Sequence, residues 1–221
     1  MLSKDEIYEV LRHTDHTCLR VDTTEKDIDL LIEEAKKFST ASICIPPRFV
    51  KYAAIKCPSI NICTVIGFPL GYSTTASKLF EANNAIIEGA KEVDMVINIG
   101  DLKQKKYEEI LKEVQMIKKG IGNNILKVIV ETCLLTPEEI AQVTKIVSDA
   151  SADYIKTSTG FSKEGAKDSD ILIFKQNRIP SLKIKAAGGI RSLERAKELI
   201  DMGCDRIGAS SLVKEAISMG L

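Results

Sequence analysis

The chain has 221 residues, 44% of them hydrophobic and 28% charged, which is typical of a folded protein with a sizeable core. Lysine plus arginine equals aspartate plus glutamate at 31 each, so no basic surplus indicates binding to nucleic acid or to an anionic membrane surface. No apolar run is long enough to span a bilayer and residues 1–10 are too polar for a signal peptide, so the sequence favours the cytoplasm.

Six cysteines and two histidines could in principle bind a transition metal. No two cysteines form a C-x-x-C pair, and the histidines, His13 and His16, are far in sequence from most of them. We therefore expect no zinc site, and we interpret the cysteines as reduced thiols that serve mostly as small core residues.

Short apolar segments alternate with amphipathic segments along the whole chain. In chain order the pattern predicts helix 3–12, strand 13–19, helix 23–38, strand 41–45, helix 48–55, strand 61–66, helix 75–88, strand 93–97, helix 106–119, strand 126–130, helix 136–148, strand 154–157, helix 167–176, strand 182–186, helix 192–202, strand 206–208 and helix 211–218. Capping signals support several of these boundaries. Thr136, Pro137 and Glu139, for example, have the order expected for a cap, a first helical residue and a capping box.

Strict alternation of strands and helices implies parallel βαβ units. Eight such units in 221 residues predict a single (β/α)8 TIM barrel spanning residues 1–221, of the α/β class, with one extra N-terminal helix. An open doubly wound sheet is the alternative. It usually has fewer units and a GxGxxG motif after the first strand, and that motif is absent here.

Three charged residues occupy strands that are otherwise apolar. Lys156 lies at the end of the sixth strand, Lys185 near the end of the seventh, and Asp94 within the fourth. Catalytic groups of such barrels project from the carboxyl ends of the strands. Since Ile155 and Ile184 should face the helices, alternation along the strand turns both lysines towards the barrel axis.

Two ammonium groups about 5 Å apart repel by roughly 3 kcal/mol at an effective dielectric of about 20. One of the two lysines should therefore lose its proton readily, and a neutral amine in a pocket can attack a carbonyl to form a Schiff base. The other lysine would then activate it and relay protons, with assistance from Asp94. The alternative is that a strand-end lysine only extends its ammonium to solvent, and we interpret Lys127 and Lys183 in that way.

A second group of residues indicates an anion site. Gly188 and Gly189 follow the seventh strand, and Ser210 and Ser211 follow the eighth, where barrels commonly bind phosphate. Gly160, after the sixth strand, can contribute. The alternative is a glycine turn and a serine helix cap, each of which is common alone.

Eight segments together resemble one known family. They are TDHTCL (14–19), SICIPP (42–47), CTVIGFPLG (63–71), EVDMVINIG (92–100), LKVIVETCLLT (126–136), ADYIKTSTGF (152–161), KIKAAGGIR (183–191) and DRIGASS (205–211). The sequence is similar, almost from end to end, to the deoxyribose-phosphate aldolases, which are class I aldolases on a (β/α)8 barrel.

The resemblance implies a role for each candidate residue. It implies that Lys156 forms the Schiff base, that Asp94 and Lys185 are proton donor/acceptor groups, and that Asp15 and Cys44 lie near the substrate. The phosphate pocket that it implies is formed by Gly160, Gly188, Gly189, Ser210 and Ser211. It also implies that the partner is a small phosphorylated sugar, that no metal or cofactor is needed, and that the chain forms a homodimer.

The implied reaction is reversible cleavage of 2-deoxy-D-ribose 5-phosphate to glyceraldehyde 3-phosphate and acetaldehyde. Two alternatives remain open at this point. One is a Schiff-base aldolase that acts on a ketose phosphate. The other is a catalytically silent barrel that only binds a phosphorylated sugar.

Overall fold

Residues 2–221 are described by a computed structural model of the chain, and they form a closed barrel of eight parallel strands. The strands are β1 (Thr14–Thr17), β2 (Ser42–Ile45), β3 (Ile62–Ile66), β4 (Glu92–Val96), β5 (Ile125–Ile129), β6 (Tyr154–Lys156), β7 (Lys183–Ala187) and β8 (Arg206–Ala209). Each strand pairs with the next one in the chain, and β8 closes the barrel against β1. This topology confirms the predicted (β/α)8 barrel and rules out the open sheet.

Helices follow the strands around the outside of the barrel. They are α1 (Lys4–Arg12), α2 (Glu25–Phe38), α3 (Val50–Lys56), α4 (Thr75–Glu88), α5 (Ile99–Lys103), α6 (Tyr107–Ile121), α7 (Pro137–Asp149), α8 (Asp168–Asn177), α9 (Leu193–Asp201) and α10 (Leu212–Ser218). The extra N-terminal helix is α1, as predicted, and it packs against α2, α9 and α10. Within residues 2–221, none of the helices is both long enough and apolar enough to cross a lipid bilayer.

The predicted element boundaries differ from the structure in a few places. The first strand is shorter than predicted and ends at Thr17, although the N–H of Cys18 still donates to the carbonyl of Cys44 over 2.9 Å. The five-residue helix α5 was not predicted, because so short a segment has little periodicity. Asn98 begins it by accepting a hydrogen bond from the N–H of Gly100.

The capping box predicted at the start of α7 is confirmed. The N–H of Glu139 donates to the Thr136 hydroxyl over 3.3 Å, and the Glu139 carboxylate accepts from the N–H of Thr136 over 2.8 Å. Pro137 takes the first helical position, where its missing N–H costs no hydrogen bond.

The main apolar core lies between the barrel and its helices. The outward-facing strand residues Val93, Met95, Ile155 and Ile184 are fully buried there. Since the helices cover this outer face, burial of apolar surface holds the barrel closed. The inward face is then free to carry other side chains, and many of these are charged.

Phe38, at the end of α2, is fully buried in this core, whereas Phe80 on α4 is 74% exposed. We expect Phe38→Ala to lower the free energy of unfolding by about 3–5 kcal/mol, because it leaves a cavity in a packed region. Phe80→Ala is the matched control and should change it by no more than about 0.5 kcal/mol. Denaturant unfolding of both variants measures the difference, and equal losses would contradict this account of the core.

Candidate active site

Each strand turns at least one ionisable side chain into the interior of the barrel. In strand order these residues are Asp15, Cys44, Cys63, Asp94, Lys127, Lys156, Lys185 and Arg206. Barrels of this architecture more often fill the interior with branched apolar side chains. We refer to these eight residues, together with Glu92, as the lumen network.

Asp94 is the centre of the lumen network. Its Oδ2 accepts hydrogen bonds from Nζ of Lys156 and Nζ of Lys185, each over 2.7 Å. Its Oδ1 accepts from Nζ of Lys127 over 2.9 Å and from the Cys63 thiol over 3.1 Å. The structure thus brings together the three residues that the sequence singled out, around one carboxylate oxygen.

Strand register explains why these side chains meet. Lys156 and Lys185 are partners in the β6–β7 pairing, and Asp94 and Lys127 are partners in the β4–β5 pairing. Partners in a parallel sheet point to the same face, so both pairs enter the lumen together. The expectation that the two lysines share one lumen is confirmed.

The interpretation of Lys127 as a solvent-reaching side chain is wrong. It is fully buried, and its Nζ lies 2.5 Å from a Glu92 oxygen and 3.5 Å from an Asp15 oxygen, in addition to its bond with Asp94. The alternation rule that placed Lys156 inside could have placed Lys127 inside as well. Lys183, by contrast, is exposed as expected.

Electrostatics in the lumen are dominated by attraction between opposite charges. Burial by itself would raise the pKa of Asp94, but the ammonium groups of Lys127, Lys156 and Lys185 outweigh it and hold that pKa well below its usual range. Burial would lower the pKa of Lys185, yet the carboxylates of Asp15 and Asp94 outweigh it and raise that pKa. The expectation that repulsion between the two lysines dominates is therefore wrong for Lys185.

Asp15 lies deep in the network, where it accepts hydrogen bonds from Lys185 and Arg206, each over 2.5 Å, and from the Ser42 hydroxyl over 2.7 Å. Cys44 is also fully buried, and a hydrogen bond with the Cys63 thiol lowers the pKa of Cys44. Neither Asp15 nor Cys44 is among the described residues that line the open cavity. The side chains that donate to the Asp15 carboxylate, namely Ser42, Lys185 and Arg206, do not line the cavity either.

A cavity of about 960 Å³ opens beside Lys156. Six of the residues singled out from the sequence line it: Lys156, Gly160, Gly188, Gly189, Ser210 and Ser211. Sequence reasoning missed three basic residues on the same wall, namely Arg20, Arg191 and Lys214. Arg191 could have been found, because it ends the same segment that contains Lys185 and the two glycines.

The two glycines after β7 form a turn that other side chains could not easily adopt. Gly188 and Gly189 have φ values of 82° and 73°. Gly165 packs directly on this turn, and a Cβ added to it would lie 1.9 Å from the Gly188 carbonyl oxygen. Gly165 is therefore a part of the site that the sequence reading did not include.

Potential metal ligands meet in the lumen in two groups that sequence spacing did not indicate. They are Cys44 with Cys63 and Asp94, and Asp15 with Cys63 and Glu92, each group within 4.8 Å. The Lys127 ammonium donates to both Cys63 and Asp94, over 3.2 and 2.9 Å. A fixed positive charge bonded to these ligand atoms opposes the binding of a second cation.

Comparison with known proteins gives a consistent result. Residues 10–220 match the family model described as DeoC/LacD family aldolase. The chain is 50% identical over 206 residues to the deoxyribose-phosphate aldolase of Clostridioides difficile strain 630, covering 93% of this chain and 94% of that protein. It is 48% identical over 206 residues to the deoxyribose-phosphate aldolase of Clostridium botulinum strain Eklund 17B, covering 93% of each.

Solved structures agree with these matches. The aldolase QR15 is 36% identical, with a TM-score of 0.91 over 96% of this chain and 97% of that one. The deoxyribose phosphate aldolase from Aeropyrum pernix, described as a tetramer, is 28% identical, with a TM-score of 0.84 over 100% of both chains.

Acid should weaken the fold through Asp15 and Asp94. Both carboxyls hold their pKa far below the usual range in the folded chain, whereas in the unfolded chain they titrate near about 3.9. The unfolded state therefore binds more protons in acid, and we expect the free energy of unfolding to fall between about pH 5 and pH 2. Denaturant unfolding at several pH values measures this slope.

Asp94→Asn removes one of these groups and should flatten the slope by up to about 1.4 kcal/mol per pH unit. The matched control is Asp22→Asn, at a carboxylate whose side chain is 75% exposed, and it should leave the slope unchanged. A slope in Asp94→Asn that equals the unsubstituted protein's would contradict the prediction.

Proposed function

Because this chain belongs to the DeoC/LacD family of aldolases, we propose that Lys156 forms the Schiff base of a deoxyribose-phosphate aldolase, with Asp94 and Lys185 as its proton donor/acceptor groups. The reaction is reversible aldol cleavage of 2-deoxy-D-ribose 5-phosphate to D-glyceraldehyde 3-phosphate and acetaldehyde. The enzyme is thus a carbon–carbon lyase.

One observation carries the assignment of the nucleophile. Of the lumen lysines in the described chain, Lys156 is the one that lines the cavity, whereas Lys127 and Lys185 are fully buried behind it. A nucleophile must reach the substrate carbonyl, and a proton-relay group must reach the nucleophile. Lys185 meets the second requirement because it shares an oxygen of Asp94 with Lys156.

The chemistry proceeds in balanced steps. The neutral Lys156 amine attacks the aldehyde carbon C1 of the open-chain sugar, loss of water leaves an imine, and the imine nitrogen takes up a proton. As the C2–C3 bond breaks, a base takes the proton of the C3 hydroxyl, and the electron pair passes to the imine to form an enamine on Lys156. Protonation of C2 and hydrolysis then release acetaldehyde and regenerate the amine.

The proton steps suit the charges of the two partners. The lowered pKa of Asp94 keeps it a carboxylate, which accepts a proton, and the raised pKa of Lys185 keeps it an ammonium, which donates one. Their shared contact at Asp94 Oδ2 gives a direct route for a proton between them. Asp15 accepts a hydrogen bond from Lys185 and supports its position below the cavity. Cys44 lies nearby as part of the same lumen.

The phosphate of the sugar is held by the loops after β6, β7 and β8. The backbone of Gly160, Gly188 and Gly189 can approach it closely, and the hydroxyls of Ser210 and Ser211 can donate to it. Arg191 and Lys214 add positive charge on the same wall. Held at this end, the sugar presents its aldehyde to Lys156 in a fixed register.

The proposal extends to the setting of the enzyme. The whole chain acts as one catalytic domain, in the cytoplasm, where the six free thiols stay reduced. Its partner is a small phosphorylated sugar, and it assembles as a homodimer. Light scattering of the purified protein tests the dimer.

Borohydride reduction in the presence of acetaldehyde or deoxyribose 5-phosphate tests the mechanism. We expect mass spectrometry to find a two-carbon adduct on Lys156, and Lys156→Arg to lose both the adduct and the cleavage activity. Lys163→Arg, at an exposed lysine, is the matched control and should retain both. An adduct on Lys185 would reverse the two lysine roles. Phosphate binding with no adduct at all would favour a silent binding protein.

Gly165→Ala tests the phosphate site. Its methyl group would displace the Gly188 carbonyl, so we expect KM for deoxyribose 5-phosphate to rise at least about tenfold, a loss of about 1.4 kcal/mol in binding. Cleavage of unphosphorylated 2-deoxyribose should change much less, because it makes no phosphate contact. Gly100→Ala, at an exposed glycine in α5, is the matched control. An equal change for both substrates would contradict the assignment.

A further inference from the structure

The lumen network extends well beyond the three residues that carry the proposed chemistry. Glu92 lies one inward-facing position before Asp94 on β4. Its carboxylate forms an ion pair with Lys127 over 2.5 Å and accepts a hydrogen bond from Arg206 over 3.2 Å. Lys127 therefore connects Glu92 with Asp94. Neither Lys127 nor Glu92 is among the described residues that line the cavity, so substrate contact does not explain them.

Lys127 determines how the two oxygens of Asp94 are used. It occupies Oδ1 together with the Cys63 thiol, and this leaves Oδ2 to Lys156 and Lys185. Because Lys127 is also held by Glu92, it cannot swing away without breaking a second buried ion pair. The orientation of the Asp94 carboxylate is thus fixed from the side opposite the cavity.

The charges of the lumen do not balance when its carboxylates and basic groups are ionised and its two thiols are neutral. Within residues 2–221, its carboxylates are Asp15, Glu92 and Asp94, and its cations are Lys127, Lys156, Lys185 and Arg206. Three negative charges face four positive ones, which leaves one positive charge in excess in a buried site. An unbalanced buried charge is costly, so the loss of one proton is favoured. Lys156 is the cation that faces the cavity, where a proton can leave.

We propose that Lys127 and Glu92 are positioning residues of the aldolase reaction: they orient the Asp94 carboxylate and set the charge balance at which Lys156 gives up its proton. This inference rests on the proposed function. Neither residue touches the substrate, and both act through Asp94 and Lys156. Their opposite charges make their effects on Lys156 opposite in sign.

Each of the seven other strands contributes a group to the lumen network around Lys156. They are Asp15 on β1, Cys44 on β2, Cys63 on β3, Glu92 and Asp94 on β4, Lys127 on β5, Lys185 on β7 and Arg206 on β8. The cavity side adds His16, Arg20, Asp22, Asp27, Glu34, Arg191 and Lys214. The exposed cavity-side groups are screened by solvent, so the buried groups dominate. His16 and Glu34 are themselves buried, and they contact each other over 2.6 Å.

The pH dependence of kcat/KM for deoxyribose 5-phosphate tests the inference, because its acid limb reports the free enzyme's loss of an inhibiting proton. Lys127→Met removes the excess positive charge, so Lys156 should keep its proton longer and the acid limb should move up by about one pH unit or more. Glu92→Gln removes a negative charge and so increases the excess of positive charge. The acid limb should therefore move to lower pH. The double variant restores the original balance, and its limb should return close to that of the unsubstituted enzyme.

A second buried pair provides the matched control. Lys78 is fully buried, and its Nζ lies 2.8 Å from Glu113, outside the lumen. Lys78→Met should destabilise the fold as a buried ion pair broken on one side does, yet leave the acid limb in place. This control separates a purely structural loss from an effect on Lys156.

Opposite shifts in the two single variants and recovery in the double variant support the positioning role. Limbs that stay in place, or that move in the same direction in both single variants, overturn it. If Lys127→Met does not fold, the downward shift in Glu92→Gln and its reversal in the double variant decide alone. If the unsubstituted enzyme traps an imine but the acid limbs of the variants do not move, only this inference is contradicted. An unsubstituted enzyme without cleavage or imine contradicts the proposed function and this inference together.

Discussion

The shared contact of two lysines on one oxygen of Asp94 is the interaction on which the rest of the site depends. An ammonium group inside a protein is costly unless a carboxylate accompanies it. Two ammonium groups on one carboxylate oxygen are stable only because further buried charges surround them. Asp15, Lys127 and Glu92 are among these charges, and each makes at least one buried ion pair.

The two faces of each strand therefore have different roles. The outward face is apolar and packs against the helices, so it stabilises the barrel by burying hydrophobic surface. The inward face carries the buried charges of the lumen network, together with apolar residues such as Val65 and Ile129. Because side chains alternate along a strand, both functions fit into segments of three to five residues.

Access to the cavity distinguishes side chains that are otherwise alike. Lys127, Lys156 and Lys185 all reach Asp94, but they differ in how close they lie to the open end. Lys156 is the last residue of β6, next to the loops at the mouth of the barrel. Gly165 and Gly188 bring two of those loops into backbone contact. The same carboxylate thus binds one lysine that lines the cavity and two that do not.

Sequence patterns were sufficient to predict the barrel, to single out the two lysines and Asp94, and to locate the glycine and serine loops. These follow from local rules, namely periodicity, alternation and the chemistry of residue types, which act over a few neighbouring residues. Helix α5 was not predicted, because five residues are too few to show a helical period. Lys127 was misinterpreted because a lysine near a strand start usually reaches solvent.

Which charged groups meet in the lumen became known from the folded barrel. Asp94 forms hydrogen bonds with Cys63, Lys127, Lys156 and Lys185. These partners are separated from it by 31, 33, 62 and 91 positions in the sequence. Such contacts depend on strand register around a closed ring, which no local pattern encodes. The excess positive charge of the lumen, the raised pKa of Lys185 and the access of Lys156, alone among the lumen lysines, to the cavity all arise from that closure. The residue types came from the sequence, and their electrostatic coupling came from closing the barrel.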